Sequence, residues 1–588
     1  MPKYITIPGF KGGVANDIFE NLQNQTYQTS KDLDVFTRKN ILTPYSIFST
    51  VTNPTVTGGS SLQVLNAYYA SDGYYYFIGR ADISSSVNLV LWRTPSNGSD
   101  LTASPSYTTV ITAVSVSPSN QLEEFKDGLY FGYGTTLKRL TTTAVAVTFT
   151  VTVATPGVFT ATGHGLAAGD AVIFATTGAL PTGLTAGTIY YVISAGLTSD
   201  DFEVSATVGG SAINTTGTQS GTHTMTMQTK TISSALTSLG VLRSHTGVGK
   251  ILFGNGHAVG TYDGTTLSLT ALTLRTDENI VDIQPYSKFA VIGINDSNNA
   301  KKSRFLIWDM SSTTIDDVID TGDTGLKSFK IVGNEIRAVF GDSKGFRKYA
   351  FQIGAKPEVD TSIPLTITSG SVGVNQPASD TSKDITIFGL SGYTYSIEQV
   401  LWAYGSGDRS EGDFLTQFRT IASGATTAIG FLCVKDFNGQ TIIIYEPSAG
   451  GTPVIQATRI STTMSANGVY ESNAFPLNDG LVGKINKIYV NHKPIPTSCG
   501  FTVAIKHFGN YPWSGSVPSA ESYQNLLGPQ GNAATSGLTQ STNNASYTEI
   551  QSDKFVQARY AQIKISFDEI NSADAASVVF PIIIELVD

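Results

Sequence analysis

A short pattern, three apolar or aromatic residues closed by a glycine, recurs along this 588-residue chain and limits what it can fold into. It reads Tyr76-Phe77-Ile78-Gly79, Leu129-Tyr130-Phe131-Gly132, Ile251-Leu252-Phe253-Gly254, Ala290-Val291-Ile292-Gly293, Ala338-Val339-Phe340-Gly341 and, less cleanly, Thr386-Ile387-Phe388-Gly389. The glycines stand 53, 122, 39, 48 and 48 residues apart. The long interval holds a segment of different character, residues 145–227, and removing its 83 residues brings that interval down to 39. A repeat of about 40 to 50 residues in strand-rich sequence is the size of one four-stranded propeller blade. A strand packed on both faces between neighbouring blades reads as a continuous apolar run, and a glycine at its end permits a bend or a close backbone approach. The runs are therefore expected to be the inner strands of the blades. Outer strands such as Phe305-Leu306-Ile307-Trp308 and Tyr349-Ala350-Phe351-Gln352-Ile353 are expected behind them. A further blade is expected from Gly430-Phe431-Leu432-Cys433-Val434, the Asn438-Gly439 turn and Thr441-Ile442-Ile443-Ile444-Tyr445, which brings the expectation to six or seven blades. A series of sandwiches or a solenoid is the alternative.

Composition agrees with strands and tight turns. Hydrophobic residues make up 40% of the chain, charged residues only 14%, and glycine occupies 58 positions. The net charge of −9 is spread without a basic stripe, which argues against a nucleic-acid binder. Cys433 and Cys499 lie 66 residues apart, without zinc or redox spacing, and both are expected to be small buried hydrophobes. The sequence from Met1 lacks a signal-peptide pattern, and no run approaches 18 apolar residues, so a protein made in a cytoplasm and not inserted in a membrane is expected.

The expected fold class is all-β: a degenerate β-propeller with an inserted small β-barrel or sandwich and a C-terminal β-sandwich. The boundaries are an extended N-terminal arm at 1–45, the propeller at 46–144 and 228–470, the inserted β module at 145–227, and the sandwich at 471–588. Alternation in Lys484-Ile485-Asn486-Lys487-Ile488-Tyr489-Val490 and in Tyr560-Ala561-Gln562-Ile563-Lys564-Ile565-Ser566-Phe567 marks sheets with one buried face. The stretch from Gly509 to Tyr547, which holds Trp513, reads as a long exposed loop and a contact surface.

Within the insert stand Gly163-His164-Gly165-Leu166, Gly169-Asp170-Ala171-Val172-Ile173-Phe174, Leu180-Pro181-Thr182-Gly183-Leu184, Tyr190-Tyr191-Val192-Ile193 and Gly217-Thr218-Gln219-Ser220-Gly221-Thr222-His223. This ordered series resembles a small module embedded in many phage virion proteins, which implies a virion location. A glycine-rich start (Pro8-Gly9-Phe10-Lys11-Gly12-Gly13), a degenerate propeller and a C-terminal sandwich together resemble the nozzle or hub proteins of phage tails. The resemblance implies a structural tail protein that packs with copies of itself in a ring, with sixfold symmetry as the expectation, against other tail proteins around the DNA conduit. A tail fibre or tip adhesin holding host surface glycan through the module or the Trp513 loop is the alternative, and a glycan hydrolase the third reading.

No catalytic, cofactor-binding or metal-binding residue is assigned, no cofactor is expected, and the chain is expected not to be an enzyme. His164 and His223 read as turn residues beside glycine, without a third ligand placed with them. Asp320-Thr321-Gly322-Asp323 and Asp408-Arg409-Ser410-Glu411-Gly412-Asp413 read as acidic turns. Asp296-Ser297-Asn298-Asn299 lacks the closing glutamate of a calcium loop. Gly341-Asp342-Ser343-Lys344-Gly345 has the letters of a nucleophile elbow, but strand-like residues follow where a helix is required.

Overall fold

The computed structural model describes residues 3–10, 13–14, 26–31, 33–34, 40–44, 49–51, 59–83, 86–94, 107–114, 118–126, 128–141, 146–298, 301–340, 345–350, 359–362, 379–382, 385–391, 398–405, 414–423, 432–437, 440–445, 455–457, 468–493, 499–508, 523–526, 538–539, 547–550, 557–569 and 577–587. Seven four-stranded sheets form a β-propeller. Blade one runs Gly59–Tyr69, Tyr75–Ile83, Ser86–Arg93, Thr108–Val114. Blade two is Pro118–Phe125, Gly128–Tyr133, Thr136–Thr141 and, beyond the insert, Thr229–Ser233. Blade three is Leu239–His245, Lys250–Asn255, Ala258–Tyr262, Leu267–Thr273. Blade four is Glu278–Tyr286, Phe289–Asp296, Arg304–Trp308, Asp317–Asp320. Blade five is Leu326–Val332, Glu335–Phe340, Gly345–Ala350, Val359–Ser362. Blade six is Ser379–Ser382, Ile385–Ser391, Glu398–Gly405, Phe414–Ser423. Blade seven takes Leu432–Phe437, Gln440–Tyr445 and Ile455–Ala457, and its outermost strand is Ser49–Val51 from the start of the chain.

The first strand of each blade touches the first strand of the next, and that of blade seven returns to blade one, so the ring closes. The apolar runs that end in glycine are the second strands, not the inner ones. The reason is visible in burial: Phe289–Asp296 is buried over its first six residues, whereas the inner strand Leu239–His245 has only three buried positions among its seven. A second strand has a strand on either side and a blade on either face, while an inner strand borders the central channel and keeps polar residues. The runs Phe305–Trp308 and Tyr349–Ala350 are third strands rather than outermost ones; residues 351–353 lie outside the described residues. Between blades the side chains interdigitate, as where Ile78 and Leu91 meet Leu122 and Phe131, and where Phe305 and Ile307 meet Phe329 and Phe340. Each such buried side chain contributes about 1.5–3 kcal/mol relative to exposure.

Two of the repeat glycines allow the next blade to approach. A Cβ on Gly293 would lie 2.7 Å from Phe329 Cε1 and 2.8 Å from Leu326 Cδ2, and one on Gly132 would overlap Leu239 Cδ2 and the Thr136 carbonyl oxygen. Because a backbone oxygen cannot rotate away, Gly132→Ala is expected to destabilise the propeller by about 1–3 kcal/mol, read as a lowered urea midpoint at an unchanged slope.

The insert folds by itself into a seven-stranded sheet. Its two edge strands, Asp201–Phe202 and Val204–Ser205, are separated by Glu203 alone, so the sheet nearly closes into a barrel around Phe149, Phe159, Phe174, Tyr190 and Phe202. Its ends meet in blade two, where Leu140 pairs with Thr229 and the Thr141 N–H donates to Gln228 O at 3.0 Å.

The expectation of an extended arm over residues 1–45 is corrected. Tyr4–Ile7 and Ile41–Pro44 pair with Val578–Leu586, and Thr26–Lys31 pairs with Val469–Ser472. These N-terminal strands complete the two sheets of the C-terminal sandwich, and Ile7, Phe10, Tyr27, Leu33 and Leu42 share one core with Tyr470, Phe501, Ile563 and Ile584. The physical reason is that Val578–Leu586, flanked by Ile485–His492 on one side, needs a partner along its other side. The propeller is therefore inserted into the sandwich, as the small barrel is inserted into the propeller. The expected loop from Gly509 to Tyr547 is also modified: Gln524–Asn525 and Leu538–Thr539 pair with Cys499–Phe508, and Leu526 is buried.

Strand directions place the attachments. Thr141 and Thr229 in blade two lie at the end of the blade where the first strand turns into the second, whereas Ser49 and Ala457 in blade seven stand level with Ile444 and Cys433, toward the other end. The barrel thus leaves from that face of the propeller, while strands of the sandwich touch Phe414–Ser423, the outermost strand of blade six.

Candidate functional site

The opposite face carries a cleft of about 380 Å³ at the end of blade four. Glu278 starts the inner strand there, Asp296 ends the second, Arg304 starts the third and Asp320 ends the fourth. Arg275, Asp277, Lys301 and Lys302 complete the charged lining. Lys301 Nζ contacts Asp277 at 2.5 Å and Asp296 at 3.7 Å, and Arg275 Nε meets Asp277 at 3.1 Å. Glu278 pairs with Arg304 and accepts the Arg275 N–H at 3.2 Å. The cations and anions balance, so the cleft presents paired charges and no single-sign field. A glycosidase site needs one carboxyl that keeps its proton beside one that does not. The Lys301 hydrogen bond holds Asp277 below the usual carboxylate range, which suits a standing ion pair.

A second polar assembly runs between blades along the inner strands. Glu123 of blade two accepts the Ser244 N–H at 3.0 Å and the Ser244 hydroxyl at 2.7 Å. Arg243 of blade three donates to Gln121 Oε1 at 3.3 Å and lies 3.0 Å from Asp282 of blade four. Asp282 is fully buried and also accepts Gln284 Nε2 at 3.1 Å and the Ile283 N–H at 2.8 Å. Farther round, the buried Arg337 of blade five donates to Thr386 Oγ1 at 3.2 Å and Tyr404 O at 3.3 Å in blade six. The bonds of Glu123, Arg243 and Asp282 stitch inner strands at the rim of the channel, where an inner strand cannot be wholly apolar, and those of Arg337 join the second strand of blade five to the second and third strands of blade six.

Burial pushes the Glu123 carboxyl up, with Arg243 and the Ser244 donors opposing. A carboxyl raised in the folded state binds protons more tightly there than in the unfolded chain. Its contribution is therefore present at low pH and lost as pH rises through the folded value. Glu123→Gln keeps an oxygen acceptor for Ser244 and removes the titration. The variant is expected to unfold at a higher temperature than the parent at pH 7, and the two to converge toward pH 4; melting curves across that range check it.

The residues singled out in the sequence fall as follows. His164 is buried, its Nδ1 accepts the Leu166 N–H at 3.0 Å, and its ring stands edge-on to Phe202 with centroids 5.1 Å apart. His223 lies 2.8 Å from Thr176 Oγ1 through Nδ1 and 3.1 Å from Gln219 Oε1 through Nε2. Among the described residues no group of three or more His, Cys, Asp or Glu converges as a metal site. Asp320 lines the cleft, while Thr321 Oγ1 donates to Ser303 O at 2.7 Å and ties the following turn to blade four. Asp296 also lines the cleft. Cys433 is buried, as expected. Residues 341–344, 408–413 and Trp513 lie outside the described residues. The cleft itself escapes sequence reading because its charges are dispersed from 275 to 320; the nearest signal is the pair of clusters Asp277-Glu278 and Lys301-Lys302.

Among solved structures, similar chains include the β-propeller domain of Cps50 (Swd1) from Myceliophteria thermophila, with 7% identity and a TM-score of 0.35 over 70% of this chain and 99% of that one. The Dos1 propeller has 10% identity and a TM-score of 0.33 over 74% and 94% of the two chains. A computationally designed protein, Ika8, has 11% identity and a TM-score of 0.31 over 68% and 97%. These likenesses concern shape and carry nothing about activity. No protein-family model matches the chain, and no curated protein does. Among the described residues no helix is long and apolar enough to cross a membrane.

Proposed function

We propose that this chain is a structural component of a bacteriophage tail, a ring-forming protein that lines or caps the DNA conduit. The observation that carries the reading is the unit at 145–227, whose ordered motifs resemble a module of phage virion proteins and which leaves blade two as a small barrel of its own. The rest of the molecule suits such a part. Sheets packed face to face and stitched by bonds between blades make a stiff body, and a net charge of −9 gives a wall that does not hold a polyanion. In this reading copies pack head-to-tail around the tail axis, and sixfold symmetry is the expectation the nozzle resemblance brings. The neighbours are other tail proteins, and the protein leaves the host inside the virion.

Negative-stain electron microscopy of the purified full chain tests the packing. Closed rings of several copies are the expected result, and a monomer at every concentration examined would count against it. A chain lacking residues 145–227 that still forms rings but no longer binds host cells would shift the reading toward recognition of surface glycan.

A further inference from the structure

The strand His223–Met227 belongs to the inserted barrel and the strand Thr229–Ser233 is the outermost of blade two, with only Gln228 between them. One run of chain thus passes from sheet to sheet. Two units joined only by such a crossing would pivot about it. Across the joint lies Asp170, a residue of the barrel whose carboxylate is fully buried. Its Oδ1 accepts the Thr231 N–H at 2.8 Å and the Thr231 hydroxyl at 2.7 Å, and stands 3.2 Å from Lys138 Nζ. Its Oδ2 accepts the Ala167 N–H at 2.9 Å. Lys138, on the third strand of blade two, is 3% exposed and also donates to Gly169 O at 2.9 Å. Beside them Thr229 Oγ1 accepts the Ala171 N–H at 2.9 Å, and the Gln228 N–H donates to Ala171 O at 2.8 Å.

We infer that Gly169-Asp170 of the inserted barrel is a docking element, and that with Lys138 and Thr231 of blade two it locks barrel and propeller into one orientation. The surface it fits is the outer edge of a sheet, offering an N–H and a hydroxyl from one residue and an ammonium group from the neighbouring strand. A buried ion pair is a weak source of net stability but a strong source of specificity, because any tilt of the barrel leaves both charges buried without partners. The barrel is consequently a fixed projection, and not a tethered one. The inference rests on these contacts alone and stands apart from the tail reading.

The test is a distance distribution between labels attached through unnatural amino acids at the exposed positions Ser199 and Thr265 of the full chain, read by electron spin resonance. The parent is expected to give one narrow distribution. Asp170→Ser, Lys138→Met and Thr231→Val are each expected to broaden it, while hydrogen exchange in Ala171–Thr176 and Ile189–Val192 stays slow, because the barrel core does not depend on the lock. If Asp170→Ser fails to fold, the other two variants decide. A narrow distribution in both would overturn the inference, and so would fast exchange throughout the barrel, which would make Asp170 a residue of the barrel's own core.

Discussion

A chain lacking residues 1–51 loses cooperative unfolding of both the propeller and the sandwich. Blade seven would keep Leu432–Phe437, Gln440–Tyr445 and Ile455–Ala457 but lose Ser49–Val51, the strand that pairs with Ile455–Ala457. Val51, 1% exposed, packs with Val64, Phe77, Trp92 and Cys433, so its loss opens the seam between the last blade and the first. The same deletion strips Tyr4–Ile7 and Ile41–Pro44 from Val578–Leu586 and uncovers the sandwich core. Closing the ring through its own N-terminal strand makes the whole propeller depend on a pairing between residues about 400 positions apart, a contact of high order and slow formation. Near-UV circular dichroism through a thermal ramp reads the loss, and adding residues 1–51 as a separate peptide is expected to restore part of the transition. A truncated chain that melts like the parent would mean the ring closes without this strand.

Asp282→Ala is expected to cost about 3–5 kcal/mol, the range for breaking one partner out of a buried ion pair. The loss has a clear origin: Asp282 is fully buried, and its removal leaves the Arg243 guanidinium, 16% exposed, facing blade four without its carboxylate. Replacing both partners, as Asp282→Leu with Arg243→Met, is expected to recover part of that cost, because neither charge of the pair is then left without the other. Urea unfolding of the two single variants and the double variant gives the coupling directly. The exposed pair of Asp277 with Lys301 provides the contrast: solvent screens it, and Asp277→Ala is expected to leave the midpoint almost unchanged.

Much of the architecture was legible in the sequence because it is repetitive. The interval between Gly79, Gly132, Gly254, Gly293 and Gly341 counts blades once the insert is removed, and the ends of that insert are where composition changes. Those runs lie one strand farther from the channel than expected, since an apolar run reports burial on two faces and says nothing about which strand borders the channel. The N-terminal strands were illegible for a different reason. Tyr4-Ile5-Thr6-Ile7 is too short for its alternation to stand out, and its partner lies near Ile584, at the far end of the chain. Asp170 stands in the sequence only as part of a motif, because its partners Lys138 and Thr231 flank the insert and belong to another unit. The cleft of blade four was hidden in the same way, with charges from several strand ends brought together only by the ring.

The nested order, barrel within propeller within sandwich, ties each unit to the next through two crossings of the chain, which suits a repeated wall element. The central claim is that this body is such an element in a phage tail. A cryo-electron microscopy reconstruction of particles purified from cells expressing this chain tests it most directly. The account predicts density for a seven-bladed disc with a small barrel on one face and a sandwich attached to it, repeated around the tail axis. Particles whose tails are complete without that density would contradict it.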